Sequence, residues 1–488
     1  MSMPYARLGA VTDADPSLLP PHVDAGPALT ADDLVSLTGG RTMVRSDRRI
    51  RHAAVDSRLV VPGGLFVALP GERTDGHVHV RDAIERGAAA VLVTRPIPDP
   101  DTAADVTIVQ VADGLAALAA VAAGWRRRFD PLVVGVTGSI AKTSTKEAVA
   151  AVLARRFTTL RSEGKRNNEV GLPLTVLDLG PEHGAAVLEM GMYVGGEIAD
   201  LAHVALPSIG VVTAVQAVHL SRIGSLEAIE QAKGELLEAL PAGGTAILNA
   251  DDPIVRAMGD RTAARLLTYG FADDADVGAE AVTSDGLAGM TFTLRLPGGR
   301  HPAHIPALGG LSVHNGLAAA AAGLAAGLTI DEILAGLRVG WSAPHRVQLV
   351  RAGGVVMVDD TYNASPGSMV AALDLLAGLP GRRIAVLGEM LELGDRHDDG
   401  HRVVGEAAGG IVDRLIVVGD GATGIADGAR SSGLDPSHIT IVRDLEAVLD
   451  HLRPRLRDGD VILVKASRGI GLEQLVDSLR IELGPATG

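Results

Sequence analysis

A lysine and several hydroxyl residues follow an apolar run within residues 131–153, PLVVGVTGSIAKTSTKEAVAAVL. The apolar run at 132–136 predicts a strand, and the residues from Lys142 onward predict a helix. Backbone N–H groups at a helix N-terminus carry partial positive charge and attract phosphate. Lys142 could reach a β- or γ-phosphate, and Thr143 could hold a Mg²⁺. The stretch therefore predicts a loop that binds nucleotide phosphates.

This loop departs from the strict G-x-x-x-x-G-K-[ST] spacing, which would place glycines at positions 136 and 141. The chain has Val136 and Ala141 there, so the pattern that remains is T-G-S-x-x-K-T. Thr137, Gly138 and Ser139 begin this pattern, and Gly138 supplies the flexible backbone. An ordinary turn between a strand and a helix is the alternative interpretation of this stretch taken alone.

The composition limits the classes of function. With 488 residues the chain is too long for one core, and about two to four domains are expected. No apolar run reaches about 18 uncharged residues, so no membrane span is expected. The absence of cysteine excludes disulfides and thiolate chemistry and suits a cytoplasmic protein. A net charge of −15 and only 2% aromatic residues argue against a nucleic-acid partner.

The chain is predicted to be an α/β protein of three domains that follow a loose leader at 1–26. Residues 27–130 combine short strands with a few helices into a small α/β domain. Residues 131–348 alternate apolar strands with helices around the phosphate loop, which predicts an ATPase-like domain with a mostly parallel sheet. Residues 349–488 repeat the alternation as a Rossmann-like domain without a phosphate loop of its own.

Polar residues follow the predicted strands of the central domain, which lie at 132–136, 185–188, 209–212 and 245–248. Ligands of parallel sheets bind at the carboxyl ends of the strands. Glu189 follows the second strand and His219 lies in the loop after the third, so the two could ligate a Mg²⁺. The alternative is that each side chain caps a strand or a helix.

Other polar residues have simpler interpretations. Lys233 lies on an amphipathic helix that starts near Ser225, and this pattern alone predicts a solvated lysine. The clusters at 56–58 and 73–77 stand beside Gly and Pro residues and are typical of turns rather than of a binding site. Thr30 begins a T-x-x-D capping box, which predicts a short helix ending at Gly39-Gly40.

Taken together, the motifs of this chain resemble the Mur ligase family, the ATP-dependent amide-forming enzymes of peptidoglycan precursor synthesis. The resemblance covers residues 30 to 482 and includes VDSR, GGLFVALPGERTDGH, TGSIAKTSTKE, RNNEVGLPLT, EMGM, HLSRIGSLEAIEQAKGELL, LNADDP, HNGLAAAAAG, HRVQL, DDTYNASPGSM, LGEMLELGDRHDDGH and KASRGIGLE. Within the family it is strongest to members that add D-alanyl-D-alanine to UDP-N-acetylmuramoyl-tripeptide. The resemblance therefore implies these two substrates, a monomer and a cytoplasmic location.

The resemblance also implies which residues bind ATP and two Mg²⁺ ions. Contacts to ATP are expected from the phosphate loop and from more distant residues: Thr137, Gly138, Ser139, Ala141, Lys142, Thr143, Ser144, Asn168, Asn315, Arg346 and Asp360. The first Mg²⁺ would be held by Thr143 and Glu189, and the second by His219 and a carbamylated Lys233. The implied catalytic set is thus Lys142, Glu189, His219 and Lys233.

Substrate contacts are implied at both ends of the chain. The uridine nucleotide would be bound in the first domain, by Ser57, Arg58 and His77. The incoming dipeptide or the peptide stem would be bound in the last domain, by Asn363, Ser365, Lys465 and Arg468. Closure of the last domain would complete the site and exclude water from an acyl phosphate.

The chain departs from the family pattern at Ala141, Ala214 and Ser221, where glycine, asparagine and an acidic residue are usual. A methyl group at position 141 could crowd the phosphate, or strain the turn if a positive φ is needed there. A nucleotide-binding homologue with weak or no turnover is therefore one alternative. A ligase that adds a diamino acid to the dipeptide-stage precursor is another. A dinucleotide oxidoreductase is disfavoured by the Lys-Thr pair after the turn.

Overall fold

The computed structural model describes residues 26–71, 74–97, 105–216, 225–391 and 393–485. These residues form three β-sheets of five, nine and six strands, each packed against helices. The predicted three-part α/β architecture is therefore confirmed. The leader predicted at 1–26 lies outside the described residues, apart from its last residue.

The first sheet has the strand order β1-β5-β4-β3-β2, with β1 antiparallel to its neighbour. Its strands are Arg41–Val44, Ala53–Ala54, Leu65–Val67, Ala90–Val93 and Thr107–Gln110 (β1–β5), and its helices are Ala31–Thr38, Val80–Glu85 and Gly114–Arg126 (α1–α3). Thr30 and Asp33 form the predicted capping box of α1, and Gly39 ends that helix with φ 66°. A left-handed C-terminal residue of this kind favours glycine.

The second sheet has the order β14-β13-β12-β11-β10-β9-β6-β8-β7. Its strands are Leu132–Thr137, Thr159–Arg161, Ala185–Glu189, Ile209–Val212, Thr245–Asn249, Arg265–Gly270, Val277–Ser284, Met290–Leu296 and Gly299–Ile305 (β6–β14). Its helices are Lys142–Leu153, Gly171–Leu177, Glu197–Ala205, Leu226–Glu238, Pro253–Ala257, Gly310–Ala325 and Ile330–Val339 (α4–α10). The four strands predicted from buried apolar runs are all present. Strands β7 and β11–β14 were not predicted, and β13 is antiparallel to both of its neighbours.

The third sheet has the order β15-β16-β20-β17-β18-β19, and it is parallel except for the edge strand β15. The strands are Gln348–Ala352, Val355–Asp359, Arg382–Gly388, Arg414–Val418, Ile439–Val442 and Asp460–Lys465 (β15–β20). The helices are Pro366–Ala377, His397–Gly409, Thr423–Ser431, Leu445–Leu452 and Glu473–Leu483 (α11–α15). This doubly wound arrangement agrees with the predicted Rossmann-like domain.

Helix α9 lies at the centre of the middle domain. Its residues Leu317, Ala318, Ala319, Ala320, Ala321 and Ala322 are fully buried, packed in one core with α4 and the sheet. Small side chains on both helices let the backbones approach closely, which fixes the start of α4 relative to the strand ends. None of the described helices is long and apolar enough to cross a membrane.

Candidate active site

One cleft of about 3650 Å³ receives side chains from all three domains. Residues that line it include the phosphate loop from Gly138 to Ser144, Glu189, Lys233, Asn315, Arg346, Asp360, Lys465 and Arg468. The carboxyl ends of β6 and β8 open into this cleft, where the doubly wound topology predicts a ligand site. Most of the residues implied by the family resemblance are thus brought together.

The backbone of the phosphate loop is tightly constrained. Gly138 has φ 147°, and a Cβ atom at this position would lie 1.9 Å from Thr213 Oγ1. The Thr213 hydroxyl donates to the carbonyl of Ile140 at 2.6 Å, and the N–H of Ser139 donates to the carbonyl of Ala214 at 2.7 Å. Only glycine fits position 138, because any side chain there would displace Thr213 and with it the loop.

Ala141 adopts the left-handed conformation immediately before helix α4, with φ 64°. This conformation costs a residue with a Cβ atom about 1 kcal/mol, whereas glycine adopts it freely. The strain anticipated for an alanine at this position is therefore present, and the loop keeps its shape despite it.

Replacing Ala141 by Gly is expected to leave the free energy of unfolding unchanged or to raise it slightly, because the relief of strain offsets the added freedom of the unfolded chain. Ala154→Gly is the matched control, because Ala154 lies at the other end of α4 with an ordinary φ of −62°. We expect this control to lose about 0.5–1 kcal/mol. Urea unfolding measures both values, and an equal loss in both variants would contradict the strain at Ala141.

The Lys142 ammonium is held by its own loop. Its Nζ donates to the carbonyl oxygens of Gly138, at 2.7 Å, and Ser139, at 3.4 Å. Burial lowers the pKa of Lys142, the charge of Glu189 opposes this shift, and the charge of Arg346 adds to it. A cation that is poorly solvated and that, among the described residues, is hydrogen-bonded to carbonyl oxygens favours the approach of an anion.

Several predicted ATP contacts hold the loop in place. Thr137 donates to the carbonyl of Met190 at 2.8 Å, and the Ser139 hydroxyl donates to the carbonyl of Gln216 at 3.1 Å. Asn315, on α9, accepts a hydrogen bond from Thr145 at 3.0 Å. Thr143 and Ser144 line the cleft at the first turn of α4. Thr137 does not line the cleft, which gives its side chain a structural role.

Glu189 lies at the end of β8 and lines the cleft. Its side chain is 3% exposed, and its Oε1 accepts a hydrogen bond from Asn167 Nδ2 at 2.8 Å. Its Oε2 is buried and has no hydrogen-bond partner among the described residues. A buried carboxylate oxygen without a partner is costly unless a cation completes it. Glu189 therefore fits the role of a Mg²⁺ ligand.

Of the two adjacent asparagines, Asn168 was predicted to contact ATP, whereas Asn167 was not among the predicted site residues. The Asn168 side chain accepts the N–H of Gly171, the first residue of helix α5, at 2.9 Å, although it also lines the cleft. Asn167 is the residue that orients the Glu189 carboxylate. Adjacent residues of one type point in different directions, and only the loop geometry distinguishes them.

Lys233 is 4% exposed, so the solvated lysine predicted from the helix pattern alone is wrong. Burial, with a contribution from the Lys142 charge, lowers its pKa well below the ordinary value. Its Nζ has no hydrogen bond or ion pair among the described residues, although it faces the cleft. The amine is thus prone to be neutral and nucleophilic, as carbamylation requires.

Only part of the predicted second metal site lies within the described residues. His219 and Ser221 lie outside the described residues, so their predicted roles are not tested. Within the described part of the chain, no group of three or more histidine, aspartate or glutamate side chains is placed to hold a metal ion. The assignment of His219 and Lys233 to a second Mg²⁺ therefore stays a prediction.

Lys233 is expected to make stability rise with pH. A lysine whose pKa is lowered in the folded state binds fewer protons than in the unfolded chain, whose lysines titrate near about 10.4. Between the two pKa values the free energy of unfolding then increases with pH, by at most about 1.4 kcal/mol per unit. Lys233→Met should flatten this rise between pH 7 and 9.5, as measured by urea unfolding in bicarbonate-free buffer. An identical slope in both proteins would contradict the buried, unmodified amine.

In the third domain, two predicted site residues pair with each other. The ammonium of Lys465, 2% exposed, lies 2.5 Å from Asp360 Oδ2 and donates to the carbonyl of Asn363 at 2.8 Å. Burial raises the pKa of Asp360, and the Lys465 charge opposes this shift. Ser365 caps helix α11 through the N–H of Ser368. These residues order the loop 360–365 at the rim of the cleft.

Arg346 and Arg468 both contact Tyr362, which sequence analysis missed. The Arg346 guanidinium lies 3.8 Å from the centre of the Tyr362 ring, and that of Arg468 lies 5.3 Å from it. Arg346 Nε is buried with no hydrogen-bond partner among the described residues. Tyr362 lies in the motif DDTYNASPGSM, between Asp360 and Asn363. The spacing of residues within this motif does not predict that the tyrosine ring contacts two arginines.

The residues predicted to bind the uridine nucleotide differ in accessibility. Arg58 is exposed, lines the cleft and pairs with Asp56 at 2.7 Å. Ser57 is buried, and neither it nor His77 lines the cleft. His77 pairs with Asp75 at 2.6 Å through Nδ1, and its Nε2 accepts the N–H of Thr94 at 3.0 Å. The turn chemistry expected of both clusters is thus observed, whereas a binding role for Ser57 and His77 stays a prediction.

Comparison with known proteins identifies the class to which this fold and site belong. Residues 49–126 match the model described as the Mur ligase family, catalytic domain, residues 136–323 match the Mur ligase middle domain, and residues 345–468 match the Mur ligase, glutamate ligase domain. The chain belongs to the Mur ligase family.

Within that family, two similar curated proteins carry the same specific activity in their names. The UDP-N-acetylmuramoyl-tripeptide–D-alanyl-D-alanine ligase of Mycobacterium tuberculosis is 39% identical over 500 residues, covering 92% of this chain and 97% of the relative. The ligase of the same name from Escherichia coli K12 is 36% identical, covering 93% of this chain and 98% of the relative.

Solved structures agree with these sequence relatives. A crystal structure of MurF from Acinetobacter baumannii superposes with a TM-score of 0.84 at 28% identity, covering 93% of this chain and 99% of that one. MurF ligase from Thermotoga maritima in complex with ADP gives a TM-score of 0.77 at 29% identity, covering 89% of this chain and 98% of that one. The three-domain fold is therefore that of MurF structures.

Proposed function

We propose that this chain adds D-alanyl-D-alanine to UDP-N-acetylmuramoyl-tripeptide at the expense of ATP, in peptidoglycan precursor synthesis. The observation that carries the proposal is that Lys142, Lys465 and Glu189, whose Oε2 has no hydrogen-bond partner among the described residues, line one cleft. Relatives of this name that match nearly the full chain support the choice of substrates, and the ADP complex of the Thermotoga enzyme supports the use of ATP.

The chemistry requires activation of a carboxylate. The terminal carboxylate of the tripeptide attacks the γ-phosphorus of ATP, ADP leaves, and an acyl phosphate forms. The amine of D-alanyl-D-alanine then attacks the acyl carbon, loses a proton and expels phosphate, which leaves a new amide bond. Positioning and charge neutralisation supply most of the catalysis in such phosphoryl transfers.

The residues of the cleft are suited to these tasks. Lys142 and the N-terminus of α4 would bind the β- and γ-phosphates, because both present positive charge to the same point. Arg346 Nε is buried and has no hydrogen-bond partner among the described residues, so its N–H could donate to a phosphate oxygen. Lys465, Asn363 and Arg468 would orient the incoming dipeptide, and Arg58 would meet the uridine nucleotide at the far end.

Mg²⁺ fits beside these groups. Glu189 and Thr143 would hold the first ion, whereas His219 and a carbamylated Lys233 would hold the second. Bound Mg²⁺ supplies positive charge that neutralises the phosphate oxygens. Carbamylation of Lys233 would convert an amine into a carboxylate, which explains how a lysine can contribute to a cation site.

A comparison of acceptors tests this proposal against its alternatives. Purified protein with ATP and Mg²⁺ is given UDP-muramoyl tripeptide with D-alanyl-D-alanine, or the dipeptide-stage precursor with a diamino acid, and the products are weighed by mass spectrometry. We expect the pentapeptide product alone. Product only in the second mixture would favour the other ligase, and nucleotide binding without either product would favour a homologue that has lost turnover, which the strain at Ala141 would then explain. The monomeric state and the cytoplasmic location stay predictions.

A further inference from the structure

The segment that carries Arg346 joins the central domain to β15 and has an unusual backbone. His345 has φ 60° and Val347 has φ 51°, so the residues on both sides of Arg346 are left-handed. A β-branched residue such as valine rarely adopts this conformation. Backbone strain of this kind persists only where surrounding contacts impose it, and it is often found at functional sites.

The contacts that impose this backbone come from residues 359–362, at the end of β16 and directly after it. His345 Nδ1 lies 2.8 Å from Asp359 Oδ2, and the carbonyl of His345 accepts the N–H of Tyr362 at 3.0 Å. The N–H of Val347 donates to Asp360 Oδ1 at 3.2 Å. The backbone of Arg346 is therefore held on both sides by the segment that contains Tyr362.

The side chain of Arg346 is held by the aromatic ring itself. Its guanidinium lies 3.8 Å from the ring centre of Tyr362, within the range of a cation–π contact. Arg346 Nε is buried and unpaired among the described residues, so no hydrogen bond from this atom orients the group. Arg468, from the turn after β20, approaches the same ring at 5.3 Å. One tyrosine thus orders two cations that line the cleft.

We propose that Tyr362 is a positioning residue for ligation, whose ring holds the Arg346 guanidinium for a phosphate oxygen of ATP. This inference rests on the proposed function, in which Arg346 contacts ATP. It assigns the ring rather than the hydroxyl, because the hydroxyl of Tyr362 has no hydrogen bond within the described residues. The ring pre-orders the arginine and so lowers the entropy lost when the nucleotide binds.

A double-mutant cycle on nucleotide affinity tests this proposal. Binding of a non-hydrolysable ATP analogue with Mg²⁺ is measured by calorimetry for the unsubstituted protein, Tyr362→Leu, Arg346→Ala and the double variant. We expect Tyr362→Leu to weaken binding about five- to thirty-fold, the range of a partly desolvated cation–π contact. The double variant should bind no more weakly than Arg346→Ala alone, because the tyrosine acts through the arginine.

Tyr362→Phe separates positioning from a merely structural role. Phenylalanine keeps the ring, so affinity should return to within about two-fold of the unsubstituted protein, whereas thermal unfolding should be similar in the Phe and Leu variants. Unchanged affinity in Tyr362→Leu, equal weakening in both variants, or additive losses in the cycle would overturn the proposal. If the unsubstituted protein binds the analogue but makes no product, the proposed function fails while the cycle still decides the role of Tyr362.

Discussion

Lys142→Met is expected to lower the turnover number by about a hundred- to a thousand-fold, the usual loss when one preorganised charge is removed from an active site. The lysine is the cation of the phosphate loop, and its loop carbonyls hold it in the cleft at 2.7 and 3.4 Å. Methionine has a similar length and shape but no charge. Initial rates of phosphate release from ATP at saturating substrates give the effect directly.

The fold should survive this substitution. Because burial lowers the pKa of Lys142, the charged form is disfavoured in the folded protein, and an uncharged side chain of the same size removes that penalty. The free energy of unfolding of Lys142→Met should therefore equal or exceed that of the unsubstituted protein. A variant that retains its rate would contradict the phosphate-loop assignment, whereas a variant that loses both rate and fold would show a structural role instead.

Glu189→Gln is expected to lower turnover at least about a hundred-fold while leaving stability unchanged or higher. The amide oxygen of glutamine can still accept the hydrogen bond from Asn167, and its NH₂ group replaces Oε2, the buried oxygen that has no partner in the described part of the chain. Mutation of a residue that orients a metal ligand typically lowers metal affinity or activity ten- to a hundred-fold. Mutation of the ligand itself should therefore lower activity by at least about a hundred-fold. Rates across a Mg²⁺ titration measure the effect.

The Mg²⁺ titration also supplies the control. Loss of a metal ligand should raise the Mg²⁺ concentration needed for half-maximal rate. Asn167→Ala should raise this concentration by a smaller factor, because Asn167 orients the carboxylate and does not itself bind the metal. An unchanged Mg²⁺ requirement in Glu189→Gln would remove the carboxylate from the metal site. A loss of stability would instead indicate that Glu189 serves the fold.

Local signals were sufficient for much of the architecture. The cap of α1 at Thr30 and the start of α7 after Ser225 follow from capping chemistry that acts over three or four residues. The strands around the phosphate loop follow from short, fully apolar runs. The resemblance to the Mur ligase family then predicted that residues from all three domains meet in one cleft, because a chain with the same motifs in the same order is expected to share the family's fold.

Long-range packing explains most of what was missed. Strands β13 and β14, at one edge of the sheet, alternate buried with more exposed residues, and β12 exposes its second half, so these strands lack the continuous apolar run of a buried strand. Burial of Lys233 depends on how α7 packs on the sheet, which helix periodicity does not reveal. The stacking role of Tyr362 depends on Arg346 and Arg468, which lie far from each other along the sequence.

Phosphate release from ATP tests the central claim most directly. The purified protein receives ATP and Mg²⁺ with UDP-N-acetylmuramoyl-tripeptide and D-alanyl-D-alanine. In two further mixtures, either the tripeptide substrate or the dipeptide is omitted. We expect steady release only when both are present, with one phosphate formed per amide bond. Measurable ATP binding without release in the complete mixture would contradict the assignment of this chain as an active ligase.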